Sequence, residues 1–241
     1  MSEATPGLGN EDYVVAGPGW VVVLDGATAR PGVESGCVHD PGWLVRRLAA
    51  ELGARLVLED GTSLRDLLAD SIKGVRELHA DTCDLDNPDS PSSTVALLRR
   101  AGDRVDWLVL ADSPVLLDLG GELRVVRDDR VDRLPSYTDE GVRAARNSPG
   151  GFWVASTRPQ AAYEALAGEA SVDAVRRVAL LTDGAARLVE RFGRIGWEEL
   201  FDLLERDGPR ELIRRTREAE ARETRPRGKR YDDATAVLVH F

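Results

Sequence analysis

The sequence predicts an α+β fold of packed layers, and three observations carry that prediction. Apolar, β-branched runs with tight-turn signals stand near both ends of the chain. Two amphipathic helical segments lie between them, one after the other. The strands come in groups and do not alternate singly with helices, which argues for antiparallel sheets and against a parallel βαβ array.

Taken in order, residues 13–16 (Tyr-Val-Val-Ala) and 20–24 (Trp-Val-Val-Val-Leu) flank Gly17-Pro18-Gly19 and read as a hairpin. Residues 27–40 carry Gly, Pro and Ser and read as a loop. Over residues 41–58, Trp43, Leu44, Leu48, Leu52 and Leu56 form a stripe near the 3.6-residue period, with Arg46, Arg47, Glu51 and Arg55 around it. Residues 63–79 repeat the pattern, with Ser63 as N-cap. Strands are expected at 93–98, 105–110, 115–118 and 123–126, separated by Gly102-Asp103, Asp112-Ser113-Pro114 and Gly120-Gly121. Residues 127–150 read as loops enclosing a helix, 160–167 as helix, 178–182 as strand, 197–204 and 208–221 as helices, and 234–241 as a closing strand. No linker divides the chain, so residues 1–241 are read as one domain with residues 1–8 as a flexible start. Trp43, Trp107, Trp153 and Trp197 are assigned to the core.

The composition is that of a globular enzyme, with 42% hydrophobic and 31% charged residues, and the net charge of −10 argues against a nucleic-acid partner. Residues 1–6 hold neither a basic nor an apolar leader segment, and no apolar run reaches the roughly 20 residues of a membrane span. Two cysteines, Cys37 and Cys83, make no disulfide framework, and a cytoplasmic protein with reduced thiols is expected.

Acidic residues stand at the edges of the apolar runs: Asn10-Glu11-Asp12, Asp25-Gly26, Asp183-Gly184 and Asp232-Asp233. Without Lys or Arg beside them, carboxylates buried at strand ends are costly, and a divalent cation removes that cost. Mg²⁺ and Mn²⁺ prefer such oxygen ligands. With only His39, His79 and His240, no HExxH and no Cys/His cluster in the sequence, a zinc site is not expected.

In this order the motifs resemble the metal-dependent protein phosphatases of the PPM (type 2C) family, in its bacterial subgroup. The resemblance runs from about Gly9 to Phe241: Asn10-Glu11-Asp12, Asp25-Gly26, Ser92-Ser93-Thr94-Val95-Ala96, Ala111-Asp112-Ser113, Leu181-Thr182-Asp183-Gly184 and Asp232-Asp233-Ala234-Thr235. It implies a central antiparallel β-sandwich flanked by helices (αββα layers), with a two-metal centre at one end. It further implies that Asp25 bridges two Mn²⁺ or Mg²⁺ ions, that the Gly26 carbonyl reaches one of them, and that Asp183 and Asp232 hold the first. Glu11 would reach the second through water, Asp12 would orient the site, and Asp112 with Asp183 matches the acidic pair that holds a third ion. The activity implied is phosphomonoester hydrolysis on phosphoserine or phosphothreonine, with a metal-bridging hydroxide attacking phosphorus in line. No phospho-enzyme is needed, which agrees with the absence of Cys-x5-Arg and Gly-x-Ser-x-Gly motifs.

The chain departs from the family where cations are expected. Thr5-Pro6-Gly7-Leu8-Gly9 holds no phosphate-binding Arg, Ala27 stands where relatives place a leaving-group His, and Pro114 follows Asp112-Ser113 in place of Arg. Arg30 and His39, on the loop leaving Asp25, are the expected substitutes, with Arg30 binding phosphate and His39 protonating the leaving group. The basic segment 222–230, with Arg225, Arg227, Lys229 and Arg230, would steer a phosphorylated substrate. Two other readings keep the same ligands: a phosphatase of a small phosphorylated metabolite, and a low-turnover module that binds phosphorylated partners.

Overall fold

A computed structural model describes residues 1–27, 32–58, 61–224 and 229–241. Alternation along the strands places the core. In β3 (Trp20–Ala27) Val21 and Val23 point to one side, while Val22 and Leu24 point to the other. In β10 (Val175–Leu181) Val178 and Leu180 are opposed in the same way to Ala179 and Leu181. Both faces are buried, so these strands read as continuous apolar runs.

The first sheet runs β2 (Asp12–Gly17), β3, β5 (Val95–Ala101), β6 (Arg104–Leu110), β9 (Leu166–Ser171), with short β4 (Ser92–Ser93) also on β3. The second runs β1 (Ser2–Glu3), β11 (Ala234–His240), β10, β7 (Val115–Leu119), β8 (Glu122–Val126). All the pairings are antiparallel.

Val21, Val23, Leu98, Trp107, Val115, Leu117, Val178 and Leu180 fill the space between the sheets. Helices α1 (Pro41–Leu56) and α2 (Leu64–Leu78) cover the first sheet through Leu48, Leu52, Leu68 and Ile72. The second is covered by α4 (Asp183–Glu190) and α5 (Trp197–Arg222) through Leu188, Leu200, Phe201 and Leu212. A short α3 (Asp139–Ala145) lies apart from these layers. The result is the expected αββα sandwich. The caps are local: Asp40 Oδ1 accepts from the Trp43 amide at 2.6 Å and Ser63 Oγ from the Asp66 amide at 3.2 Å.

Two expectations are corrected. Residues 160–167 are not an α-helix: a 3₁₀ segment (Pro159–Glu164) gives way to β9, which pairs with β6. Leu-Ala-Gly-Glu-Ala-Ser has little β propensity, and the strand exists because the β6 edge supplies its partners. The chain start is not loose either. Ser2 and Glu3 pair with Thr235 and Ala234, and the Met1 amino group donates to the Ala236 carbonyl at 3.0 Å. The two helices expected beyond residue 197 are one path broken at Gly208, whose φ of 81° suits glycine and which Pro209 follows.

Gly168 on β9 lies against Trp107, where an added Cβ would come within 2.5 Å of the indole ring. That ring is buried between the sheets and has nowhere to move. Gly168→Ala should therefore destabilise the protein by about 1–3 kcal/mol, read as a lower urea midpoint at unchanged m-value.

Candidate metal centre

Antiparallel pairing brings the acidic motifs to one end of the sandwich. Asp12 opens β2 directly opposite Asp25 near the end of β3. Asp183 follows β10, Asp232 precedes β11, and those two strands pair Leu181 with Ala236. Asp112 lies in the turn between β6 and β7.

Glycine makes the closure feasible. A Cβ on Gly26 would stand 2.7 Å from the Glu11 carbonyl oxygen, and one on Gly184 would overlap the Asp233 carbonyl oxygen at 1.8 Å. The Gly26 amide donates to the Glu11 carbonyl at 3.1 Å. Both Asp-Gly pairs are thus places where two backbones touch behind a carboxylate.

Hydroxyls and amides hold the carboxylates in place. Asp12 is buried; its Oδ2 accepts from Thr235 Oγ1 at 2.7 Å and Thr182 Oγ1 at 2.9 Å, while its Oδ1 is buried with no protein partner. Asp233 is a brace: its Oδ1 accepts from the Thr5 amide and its Oδ2 from the Glu11 amide, both at 2.6 Å. Thr94 Oγ1 accepts from the Asp25 amide at 3.2 Å and lies 2.6 Å from Ser113 Oγ, linking Asp25 to the residue after Asp112. Ala111, before Asp112, has a φ of 66°, a strained conformation for a residue with a Cβ.

The electrostatics are those of a site short of positive charge. Burial raises the Asp25 pKa well above the carboxylate range, and Asp12, Asp183, Asp112 and Asp232 each push it further. Asp12 is raised to about 7 by burial, against its two threonine bonds, with Asp233 and Asp183 adding to the rise. Asp112 is raised to about 7 by burial and by Asp183. Asp183 is raised by burial and by Asp232, and its carboxyl lies within hydrogen-bond reach of Asp25.

Clustered carboxylates with an orphaned buried oxygen, and with no sulfur or imidazole donor among those named, fit hard divalent ions. Asp25, Asp183 and Asp232, with the Gly26 carbonyl, are the residues that would hold them. Glu11 sits beside Gly26, and Asp112 stands by Asp183 on the far side.

Several charged groups escaped the sequence reading. Arg187, buried one helical turn beyond Asp183, donates to Asp232 Oδ2 at 2.6 Å and Glu220 Oε1 at 2.7 Å. The i, i+4 spacing from Asp183 was the available signal. Asp232 therefore does have cations beside it, because Lys229 Nζ also stands 3.3 Å from its Oδ1. Burial raises Glu190 to about 7, with Arg127 opposing and Asp112 and Asp183 reinforcing, and Glu190 and Arg127 form an ion pair.

Arg30 falls outside the described residues, as do Arg225 and Arg227. His39 is placed among Cys37, His79 and Cys83, whose donor atoms all lie within 4.8 Å of one another, and its ring stacks on Trp43 at 3.9 Å. The expectation that no Cys/His cluster exists is thereby corrected: folding joins pairs that lie about forty residues apart, a distance at which spacing rules are silent.

A family model described as Protein phosphatase 2C matches residues 2–218. Among solved structures, the serine/threonine phosphatase PstP/Ppp of Mycobacterium tuberculosis is similar at 20% identity and a TM-score of 0.60, covering 99% of this chain and 95% of that one. A structure of the PstP catalytic domain with two manganese ions matches at 20% identity and a TM-score of 0.58, covering 99% and 94%. The serine/threonine phosphatase Stp1 of Staphylococcus aureus matches at 14% identity and a TM-score of 0.66, covering 100% and 93%. At these identities the structures establish the fold. A comparison with curated proteins gives no significant match.

The raised carboxyl pKa values have a stability consequence in metal-free protein. A carboxyl near 7 when folded and near 3.9 when unfolded binds its proton more tightly in the folded state. Its stabilising contribution is full below about pH 4 and is lost as pH rises through about 7. In EDTA the melting temperature should therefore be lower at pH 8 than at pH 6, and Mn²⁺ should raise it more at pH 8. Equal Mn²⁺ shifts at both values in thermal melts would contradict this account of the site.

Proposed function

The chain belongs to the protein phosphatase 2C family and is a metal-dependent protein phosphatase, and we propose that it removes phosphate from serine and threonine side chains at the carboxylate cluster around Asp25 and Asp183. The convergence of Asp12, Asp25, Asp112, Asp183 and Asp232 at one end of the sandwich is the observation that carries this reading. Mn²⁺ or Mg²⁺, when bound, lowers the pKa of a shared water and draws in the phosphoryl oxygens.

The protein's own groups then divide the work. Asp25, on which Asp12, Asp183, Asp112 and Asp232 all act, would be the shared ligand of the ions. Asp183 and Asp232 would hold one ion with it, and Arg187 fixes the Asp232 carboxylate. Asp12 is held by Thr182 and Thr235 through one oxygen, and its other oxygen is buried without a protein partner. Asp112 and Glu190, both near 7, make a third acidic corner with Asp183.

Positive charge for the substrate comes from Lys229. Its ammonium, partly shielded yet still reached by solvent, bonds Asp232 and is held charged by it, with Asp25 and Asp183 adding. A phosphate entering beside Asp232 meets that ammonium first. No helix among the described residues is long and apolar enough to cross a membrane, which accords with action in the cytoplasm. The bacterial phosphatases among the structural neighbours support placing the chain with bacterial members of the family.

Asp25→Asn should lower Mn²⁺-dependent turnover of p-nitrophenyl phosphate and of phosphothreonine peptides by several orders of magnitude. Turnover that survives EDTA, or a kcat/KM for small phosphate esters well above that for phosphopeptides, would overturn the assignment.

Lys229→Ala should raise KM for an acidic phosphopeptide several-fold with a smaller effect on kcat. The difference from wild type should shrink as salt is added, because the lysine is solvent-exposed and its field is screened. Identical salt dependence in the two proteins would remove Lys229 from substrate binding.

A further inference from the structure

Four soft or borderline donors converge away from the carboxylates. Cys37 and His39 come from the segment ahead of α1, His79 caps the C-terminus of α2, and Cys83 lies in the turns that follow. Cys37 Sγ is 3.6 Å from His39 Nδ1 and 3.6 Å from His79 Nδ1, and Cys83 Sγ is 3.5 Å from His39 Nδ1. We propose that Cys37, His39, His79 and Cys83 form a tetrahedral Zn²⁺ site with a structural role, separate from the carboxylate centre.

The distances argue for an ion and not merely for proximity. Zinc bonds of about 2.3 Å to sulfur and 2.0–2.1 Å to nitrogen, at tetrahedral angles, place sulfur and nitrogen ligands about 3.6 Å apart. The three sulfur–nitrogen separations match that edge. The sulfurs, 2.8 Å apart, would move apart by about 1 Å to reach the corresponding edge of about 3.8 Å. Both cysteines are free thiols. A bond between them would not require two imidazole nitrogens turned toward the same point, whereas a metal with two sulfur and two nitrogen ligands does.

On binding, each thiol releases a proton to solvent, leaving a neutral Zn²⁺–dithiolate–diimidazole unit. All four positions are filled by protein, as in structural sites and unlike catalytic ones. Ring and backbone contacts order the surroundings of the cluster. Trp43 stacks on His39, the Asp84 amide donates to the Gly36 carbonyl at 2.8 Å, and Asn87 Nδ2 donates to the Glu34 carbonyl at 3.1 Å. The ion would tie the start of α1 to the end of α2. The segment beyond Cys83 continues into Ser92 and Ser93, which pair with Ala27 and Gly26 beside Asp25. The staple would therefore constrain two of the segments that border the carboxylate centre.

The test uses full-length protein, stripped of metal, reduced, and titrated with Co²⁺ or Zn²⁺ alone. Cobalt should give the intense d–d bands and thiolate charge-transfer band of a tetrahedral thiolate complex at one ion per chain, displaced by Zn²⁺. Cys37→Ser and Cys83→Ser should each abolish the charge-transfer contribution of the lost sulfur, and Asp25→Asn should leave the spectrum intact. Should the cysteine variants fail to fold, wild-type protein as isolated should still hold one zinc, released in step with titration of its two thiols by a mercurial. A Cys37–Cys83 disulfide in protein isolated without reductant, together with no cobalt band after reduction, would overturn the proposal, as would a band unaffected by either serine substitution.

Discussion

Carboxylates gathered at one end of the sandwich repel one another, and most of the local structure answers that repulsion. Two unit charges 4 Å apart interact by about 4 kcal/mol at an effective dielectric near 20, and Asp25 has four aspartates acting on it together. Metal-free protein relieves this by holding protons: burial first, and the neighbouring carboxylates after it, raise Asp12, Asp112 and Glu190 to about 7. Cations relieve it better. Arg187 is built into the fold, buried between Asp232 and Glu220 and bonded to both. Because an unpaired buried charge costs several kcal/mol, Arg187, Glu220 and Arg217 form a linked set: Glu220 Oε1 faces Arg187 and Oε2 accepts from Arg217 at 2.8 Å.

The same demand explains the threonines and glycines around the cluster. Thr182 and Thr235 satisfy one oxygen of Asp12 and leave the other buried without a protein partner. Asp233 spends both oxygens on backbone amides and so anchors the Glu11 segment to the Asp232 turn. Gly26 and Gly184 let these backbones approach more closely than a Cβ permits. Preorganisation of this kind keeps the carboxylates from relaxing apart when no ion is bound, so incoming ions meet a formed site.

What the sequence revealed follows from which signals are local. Strand and helix periodicity exposed β3, β10, α1 and α2, whose faces are filled by residues spaced by two or by three and four. The Asp-Gly pairs were visible as members of an ordered set of acidic motifs at strand ends, since an Asp-Gly pair alone reads as a turn. Strand β9 was hidden, since its stability lies in the edge of β6 and in the room Gly168 gives Trp107. Arg187 was hidden for a different reason: its partners Glu220 and Asp232 are brought to it by α5 and by the approach to β11, and one arginine on an amphipathic helix looks like any solvated charge. His39 was noticed for the loop it occupies, while its actual neighbours, His79 and Cys83, come from the far end of α2.

Donor chemistry separates the two clusters more firmly than position in the fold does. The carboxylate centre offers oxygen donors, which suit Mg²⁺ and Mn²⁺ and hold zinc less selectively, whereas two sulfurs and two imidazole nitrogens suit zinc and bind magnesium poorly. A chain carrying both can therefore retain a structural ion while exchanging its catalytic ones. The path between the clusters is short in sequence: β3 carries Asp25, and the chain reaches Cys37 and His39 before Asp40 caps α1. With α1 packed on β2 and β3, and Ser92–Ser93 returning to pair beside Asp25, a constraint at Cys37 and Cys83 acts on two of the segments that reach the carboxylate end. A small enzyme whose catalytic carboxylates repel one another gains from fixing those connections by a bond that does not depend on the catalytic ions.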